Sequence, residues 1–434
     1  MAKFLKKRNS ESASAGVGRN FIAMMTLQLG AYAMSFATFP YLARVLGPHQ
    51  FGVFGYSMAI AAYGTTFTEW GFNLSGPRAV VECRNDPARL NELIWSIVAG
   101  KAVLCLISLG ILCVVVLFNH QFAAVFLVIL CSWIAVVANV FTMYWLMQGL
   151  ERFRLLATVV LLARVLMLPL TFIFVRDSND VLAAALIQAA GPFVAALFSV
   201  LVAYRTGVLK RPSVSVMSTW HRLVQGADMF VAAASVSLFS SANTMILGAT
   251  AGAYQVGIYA AADKIRNVGN IIPAQINQVF FPRITALFKE NREESAKLTV
   301  KGLCAVQLIT TGIAAFFCIS ASGVSALVLG EAYSGSVTVL KLLSLCAIAG
   351  NFSYFVGLQV LVPFGKAKTR SMIMLFGGLI NVVVAFLVAP HFGAQGAAIS
   401  LLAAEIVIIV LYAILIIRGR ELREYMLYGF YKFK

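Results

Sequence analysis

Apolar runs of about twenty residues recur along the whole chain, and no other feature constrains the fold as tightly. Each run is long enough to cross roughly 30 Å of hydrocarbon as a helix. Only 12 % of the 434 residues are charged, against about a quarter in a soluble protein. Glycine and proline lie scattered inside the runs, which membrane helices tolerate. The fold class this implies is an all-α membrane protein of about twelve spans. They cover roughly 20–43, 52–75, 93–118, 122–147, 154–175, 181–204, 224–248, 255–281, 298–320, 338–362, 371–390 and 394–417. The basic start of the chain resembles a signal peptide. However, the run from Phe21 to Leu42 is longer than a signal core and no small-x-small site follows, so it reads as the first span.

Net charge is +17, which would suit nucleic acid if the bases formed one patch. They are instead spread through short connections. The N-terminal tail holds Lys3, Lys6, Lys7, Arg8 and Arg19. The even-numbered loops hold groups such as Arg78, Arg84 and Arg89, or Lys366, Lys368 and Arg370, and the odd-numbered loops hold only Arg44 and Arg176. The positive-inside rule then places both termini and every even loop in the cytoplasm of a bacterial inner-membrane protein. A miscounted span would invert each later loop and destroy the alternation. The lipid bilayer is therefore a partner, and nucleic acid is not.

An internal repeat divides the chain. GPHQFGVF from Gly47 resembles GAYQVGIY from Gly252, an offset of 205 that also aligns Pro77-Arg78 with Pro282-Arg283. GLERFR from Gly149 resembles GKAKTR from Gly365. The expected organisation is a cytoplasmic basic tail at 1–19, a six-helix lobe at 20–204 and a basic linker at 205–222. A second, pseudo-symmetric six-helix lobe at 223–417 and a basic tail at 418–434 follow. Parallel repeats about a midplane site are a transporter architecture.

Charges inside spans are costly, about 2.5–3.5 kcal/mol at mid-bilayer on an insertion scale, and normally face a partner or a cavity. Lys301 and Lys341 lie near span ends and can snorkel. Lys101 and Glu405 read as structural pairs whose partners the sequence does not name. Span eight is the most polar. Asp263, Asn267, Asn270, Ala274 and Asn277 follow helical spacing, flanked by Lys264, Arg266, Gln275 and Gln278. Pro273 predicts a kink there. Asp263 and Arg266, three apart, could neutralise each other, but Lys264 would remain, which favours a wet cavity. Arg164 sits deep in span five. With Arg164, Lys264 and Arg266 set against Asp263, the interior leans positive and suits an anion, which arginine's planar fork can hold by two hydrogen bonds. These three are the expected diphosphate-binding residues. Glu69, Asp228, Asp263, Asn267 and Asn270 are candidates for ion coupling or cavity lining. Spans one and seven carry milder polar sets, Gln28, Tyr32 and Ser35 in the first, which suit packing equally well.

No phosphate-binding glycine loop, dinucleotide fingerprint, zinc motif or nucleophile elbow occurs, and the seven cysteines form no metal-ligand spacing. No catalytic residue, metal or cofactor is expected, and the chain does not read as an enzyme.

ARVLGPHQFGVFGYS after span one, EWGFNLSGPR ending span two, VGIYAAADKIR opening span eight and FGAQGAAIS opening span twelve together resemble the O-antigen (Wzx-type) and exopolysaccharide flippases. These form the polysaccharide-transporter branch of the multidrug/oligosaccharidyl-lipid/polysaccharide exporter superfamily. The resemblance implies movement of undecaprenyl-diphosphate-linked oligosaccharide from the cytoplasmic to the periplasmic leaflet by alternating access, with ion coupling. It also implies a cationic cavity flanked by spans one, two, seven and eight, and partners such as a polysaccharide polymerase and a chain-length regulator. Two alternatives stay open: a multidrug or cation antiporter of the same superfamily, which would want an acidic or aromatic pocket, and a membrane O-antigen polymerase, which would want a large periplasmic loop.

Overall fold

The computed structural model describes residues 2–118 and 125–432; the side chains of 2–29, 31–35, 153–157, 159–161, 232–233, 235–236, 238 and 240 lie outside that description. Gln28, Tyr32 and Ser35 of the first span therefore fall outside it. Among the described residues there are helices and turns and no strand, as expected for a backbone that must satisfy its own hydrogen bonds in lipid.

The helices in chain order are α1 (Ala2–Glu69), α2 (Phe72–Cys83), α3 (Pro87–Phe118), α4 (Phe126–Phe141), α5 (Tyr144–Gly149), α6 (Phe153–Phe174), α7 (Val181–Arg205) and α8 (Val216–Ser240). They continue with α9 (Ala242–Thr250), α10 (Ala253–Gly269), α11 (Ile271–Glu290), α12 (Arg292–Val328), α13 (Ser336–Phe355), α14 (Ala367–Arg418) and α15 (Arg420–Tyr431). Among the described residues, six segments are long and apolar enough to cross a membrane: Pro87–Leu117, Phe126–Gly149, Ser178–Arg205, Arg292–Val328, Ser336–Leu361 and Ala367–Arg418. The last is long enough to be read as two rods, since α14 breaks at Gly393 (φ 55°).

Several expected spans are built from two helices joined at a break. Span two runs through Trp70 and Gly71, both with positive φ, into α2. Span eight divides at Gly269–Asn270, where Pro273 in the first turn of α11 cannot donate and its ring would clash with the carbonyl four residues back. The kink forecast from Pro273 thus lies just upstream of it. Span ten ends in a π-helical turn, Val356–Leu361.

The expected loop at 44–51 is a single residue. α1 is helical on both sides of Gly47, whose φ 67° and ψ 170° break the rod. Gly252, its counterpart in the repeat, has φ 83° and ψ 169°. The duplicated glycines hold the same backbone shape, which only glycine adopts readily, and Pro48 or Ala253 follows as the first residue of the next helix.

The chain gathers into two compact units: residues 1–45 with 60–233, and residues 46–59 with 234–434. In the first unit, α4 packs along α7, and α5 lies against α2. Trp70, at the break after α1, stacks on Phe230 of α8 with ring centroids 4.3 Å apart and donates its indole N–H to the Leu223 carbonyl at 2.8 Å. The connection between α7 and α8 is tied down too, because Asn91 donates to Arg211 O and accepts from Lys210 N.

In the second unit, α12 packs against α13 and α13 against α14. A fully buried polar chain binds α9 to both arms of α14. Asn243 donates to Ala397 O at 2.8 Å, Asn381 donates to Asn243 at 3.0 Å, and Ser400 donates to Asn381 at 3.1 Å. Buried amides persist only when so satisfied. The second unit also contains a reciprocal helix crossing. A Cβ at Gly52 would lie 1.7 Å from Ala253 O, and one at Gly257 would lie 1.9 Å from Pro48 O. Gly52 and Gly257, and likewise Pro48 and Ala253, differ by the repeat offset of 205. The two copies of the motif therefore touch backbone to backbone, each glycine meeting the residue that opens the other helix.

Candidate functional site

Among the described residues, two clusters of charged side chains lie within spans, one in each unit. In the first unit Lys101, on α3 and 1 % exposed, places its ammonium 2.7 Å from the Glu69 carboxylate at the end of α1. The same ammonium lies 3.4 Å from Asn139 O on α4, and Asn139 in turn donates to Thr65 O at 3.3 Å. Lys101 thus has its structural partner, and that partner is Glu69, which the sequence placed among the coupling candidates. Breaking one half of a buried pair strands a charge and costs about 3–5 kcal/mol, whereas replacing both with apolar groups can be neutral. Lys101→Met is accordingly expected to lower the thermal unfolding midpoint sharply, and Lys101→Met with Glu69→Leu to recover most of the loss. A double variant no more stable than the single one would contradict this.

In the second unit Arg266, on α10, lies 2.7 Å from Asp263. Asn267 bridges them, accepting from Arg266 at 3.1 Å and donating to Asp263 at 2.9 Å. Glu405 of α14 is close enough to Arg266 for the two charges to interact, and it accepts a hydrogen bond from Ser353 of α13 at 2.6 Å. Gly350 leaves room for that carboxylate, since a Cβ there would come within 3.3 Å of it. One helical turn on, Asn270 accepts from Asn351 at 3.0 Å. Beside Arg266, Asn270, Thr310 and Ser344 is a cavity of about 10 Å³, at the threshold for a single water. It cannot admit a diphosphate.

Asp263 therefore pairs directly with the Arg266 guanidinium, while Glu405 acts on it from beyond ion-pair distance, so Arg266 is not the uncompensated charge that the count along the sequence made it. The local Asp263–Arg266 pairing is realised. Lys264 is exposed and makes no ion pair among the described residues. Arg164 is exposed on α6 in the first unit, where its charge reaches Tyr144. Asp228 is exposed on α8, two residues before Phe230. Asn277 is 1 % exposed, its side chain donates to Pro273 O, and its main-chain carbonyl accepts from Gln359 of span ten, the span that Asn270 meets through Asn351. No three His, Cys, Asp or Glu side chains gather as metal ligands among the described residues.

Glu405 and Ser353 are members of the cluster that span-eight periodicity could not supply. The only cue to Glu405 in the sequence was an acid in the middle of span twelve.

Comparison with known proteins gives the same architecture. A candidate O-antigen transporter of Escherichia coli (strain K12) is 30 % identical over 387 residues, covering 89 % of this chain and 93 % of that protein. A multidrug resistance MATE family transporter of the MOP superfamily, solved in an inward-facing conformation, aligns with a TM-score of 0.70 at 16 % identity, over 94 % of this chain and 99 % of that one. The lipid II flippase MurJ, solved in an inward closed conformation, aligns with a TM-score of 0.67 at 11 % identity, over 94 % and 90 %. At those identities the two solved structures establish a shared fold. Residues 17–288 match the polysaccharide biosynthesis protein family, and with a relative 30 % identical along nearly its whole length, the chain belongs to that family.

Proposed function

We propose that the chain is a flippase for a lipid-linked oligosaccharide, carried as an undecaprenyl-diphosphate O-antigen or exopolysaccharide repeat unit. It works by alternating access, from the cytoplasmic to the periplasmic leaflet of the bacterial inner membrane, and is not an enzyme. The chain crosses about twelve times, in two six-helix lobes with both termini in the cytoplasm. The observation that carries the reading is end-to-end relatedness to a candidate O-antigen transporter, on a fold shared with a lipid II flippase. Arg164, Lys264 and Arg266 bind the diphosphate; the first two are exposed, and Arg266 is held by Asp263. Arginine forks and lysine ammonium groups are the usual partners of phosphate oxygens. Glu69, Asp228, Asp263, Asn267 and Asn270 line the path or couple an ion. A polysaccharide polymerase and a chain-length regulator act on the product. With the cell interior negative, outward movement of an anion is favoured by about 2.3 kcal/mol per charge per 100 mV.

A second reading has one observation in its favour. Two membrane-embedded acids near Arg266, Asp263 bonded to it and Glu405 within electrostatic range, would also suit a cation exporter. Deleting the gene separates the two. The flippase reading expects lipid-diphosphate-linked repeat units to accumulate and surface polysaccharide to vanish, with both restored by the wild-type gene. Normal surface polysaccharide together with hypersensitivity to cationic drugs would favour the exporter.

A further inference from the structure

The last helix has one face docked on the chain and another that the chain leaves uncovered. Leu422, Tyr425, Met426 and Gly429 of α15 are buried against the second unit. The Tyr425 hydroxyl is 2.8 Å from the hydroxyls of both Ser295 and Thr299 of α12, and the Tyr428 hydroxyl donates to the Glu293 carboxylate. Gly429 lies so close to α12 that a Cβ would be 2.6 Å from Ala296 O. Arg292 lies 3.6 Å from Glu421. These contacts fix the rotation of α15 about its axis. The opposite stripe, at helical spacing, is Arg420, Arg423, Leu427, Phe430 and Tyr431. Leu427 is 60 % exposed, Phe430 49 % and Tyr431 80 %.

Covalent geometry decides what can cover this stripe. α14 is among the segments long and apolar enough to span a membrane, and Gly419 alone separates it from α15. A twelve-residue helix is about 18 Å long. It docks on the first turns of α12, just before that helix becomes continuously apolar. Thus α15 begins at the membrane surface and is held there. Glu421 and Glu424 face Arg292 and Arg420, leaving Arg418, Arg423 and Lys432 as the exposed charges without an ion pair among the described residues. Apolar and aromatic groups beside free bases are the composition of a helix lying in an anionic interface.

We infer that α15 is a surface helix seated in the headgroup layer of the leaflet from which α14 emerges. Leu427, Phe430 and Tyr431 enter the acyl boundary, and Arg423 and Lys432 bind anionic lipid phosphates. The inference rests on α14 crossing the membrane and is independent of the cargo.

It is tested with the full-length protein carrying the photocrosslinker p-benzoylphenylalanine in place of Leu427, Phe430, Tyr431 or buried Met426. The protein is reconstituted in vesicles of phosphatidylglycerol and phosphatidylethanolamine, irradiated, and its C-terminal peptide weighed by mass spectrometry. Phospholipid adducts are expected at the three outer positions and not at Met426. In the Arg423→Gln, Lys432→Gln background, enrichment of phosphatidylglycerol over phosphatidylethanolamine among the adducts should fall at least about fivefold. Absence of lipid adducts at the outer positions overturns the inference, as does crosslinking in native membranes to another polypeptide instead of lipid. Unchanged phosphatidylglycerol enrichment overturns the anionic-lipid part. A protein that makes these adducts but moves no glycolipid would refute the flippase reading and leave this one standing.

Discussion

Replacing Gly257 with alanine is expected to destabilise the purified protein by at least about 3 kcal/mol, the upper end of the range for overpacked cores, read as a lowered thermal unfolding midpoint. The new Cβ would sit 1.9 Å from Pro48 O and 2.8 Å from Pro48 C. Both neighbours are backbone, so no side-chain rotation can relieve the overlap, and the helices must move apart. Gly52→Ala should do the same through Ala253 O, 1.7 Å away. Because both substitutions wedge open one crossing, the double variant should lose less than the sum of the two singles. Gly312→Ala is the control. It lies in α12 with nothing within 4 Å of its would-be Cβ, so its change should be zero or a gain of about 0.5–1 kcal/mol. A silent Gly257→Ala, or strict additivity with Gly52→Ala, would contradict the crossing.

The second large effect separates two adjacent bases. Lys264→Ala removes an exposed charge with no ion-pair partner among the described residues, so stability should stay within about 0.5 kcal/mol, while complementation of a flippase-null strain falls. Arg266→Ala instead deprives Asp263 of its 2.7 Å partner and removes the positive charge that acts on Glu405. That should cost about 3–5 kcal/mol, partly restored by adding Asp263→Asn. The double Lys264→Ala, Arg266→Ala variant should abolish complementation even where membrane insertion is intact. Full activity in that double variant would refute the phosphate-binding assignment, and an Arg266→Ala protein as stable as wild type would refute the shared-guanidinium cluster.

Features set by neighbours along the chain were legible in the sequence. The apolar runs located the helices, and the duplicated glycines at 47 and 252 share one backbone shape because that shape is dictated locally. The Asp263–Arg266 pair was legible for the same reason, since three residues make one helical turn. What could not be read depended on tertiary placement. Nothing in the sequence said that Lys101 would meet Glu69, 32 positions away, or that Glu405 would approach Arg266. Periodicity along span eight likewise could not say that Asn270 and Asn277 would meet Asn351 and Gln359 of span ten. The C-terminal tail was read for its charge alone. The spacing of Leu422, Tyr425, Met426 and Gly429 already described a docked helix.

The most direct test of the account is reconstitution. The protein is placed in vesicles whose inner leaflet holds a lipid-diphosphate-linked oligosaccharide bearing a fluorophore on the sugar, and a membrane-impermeant quencher reports its arrival outside. The account predicts rapid quenching with the wild-type protein and quenching at the protein-free rate with the Lys264→Ala, Arg266→Ala variant. Wild-type vesicles that quench no faster than protein-free ones would contradict it.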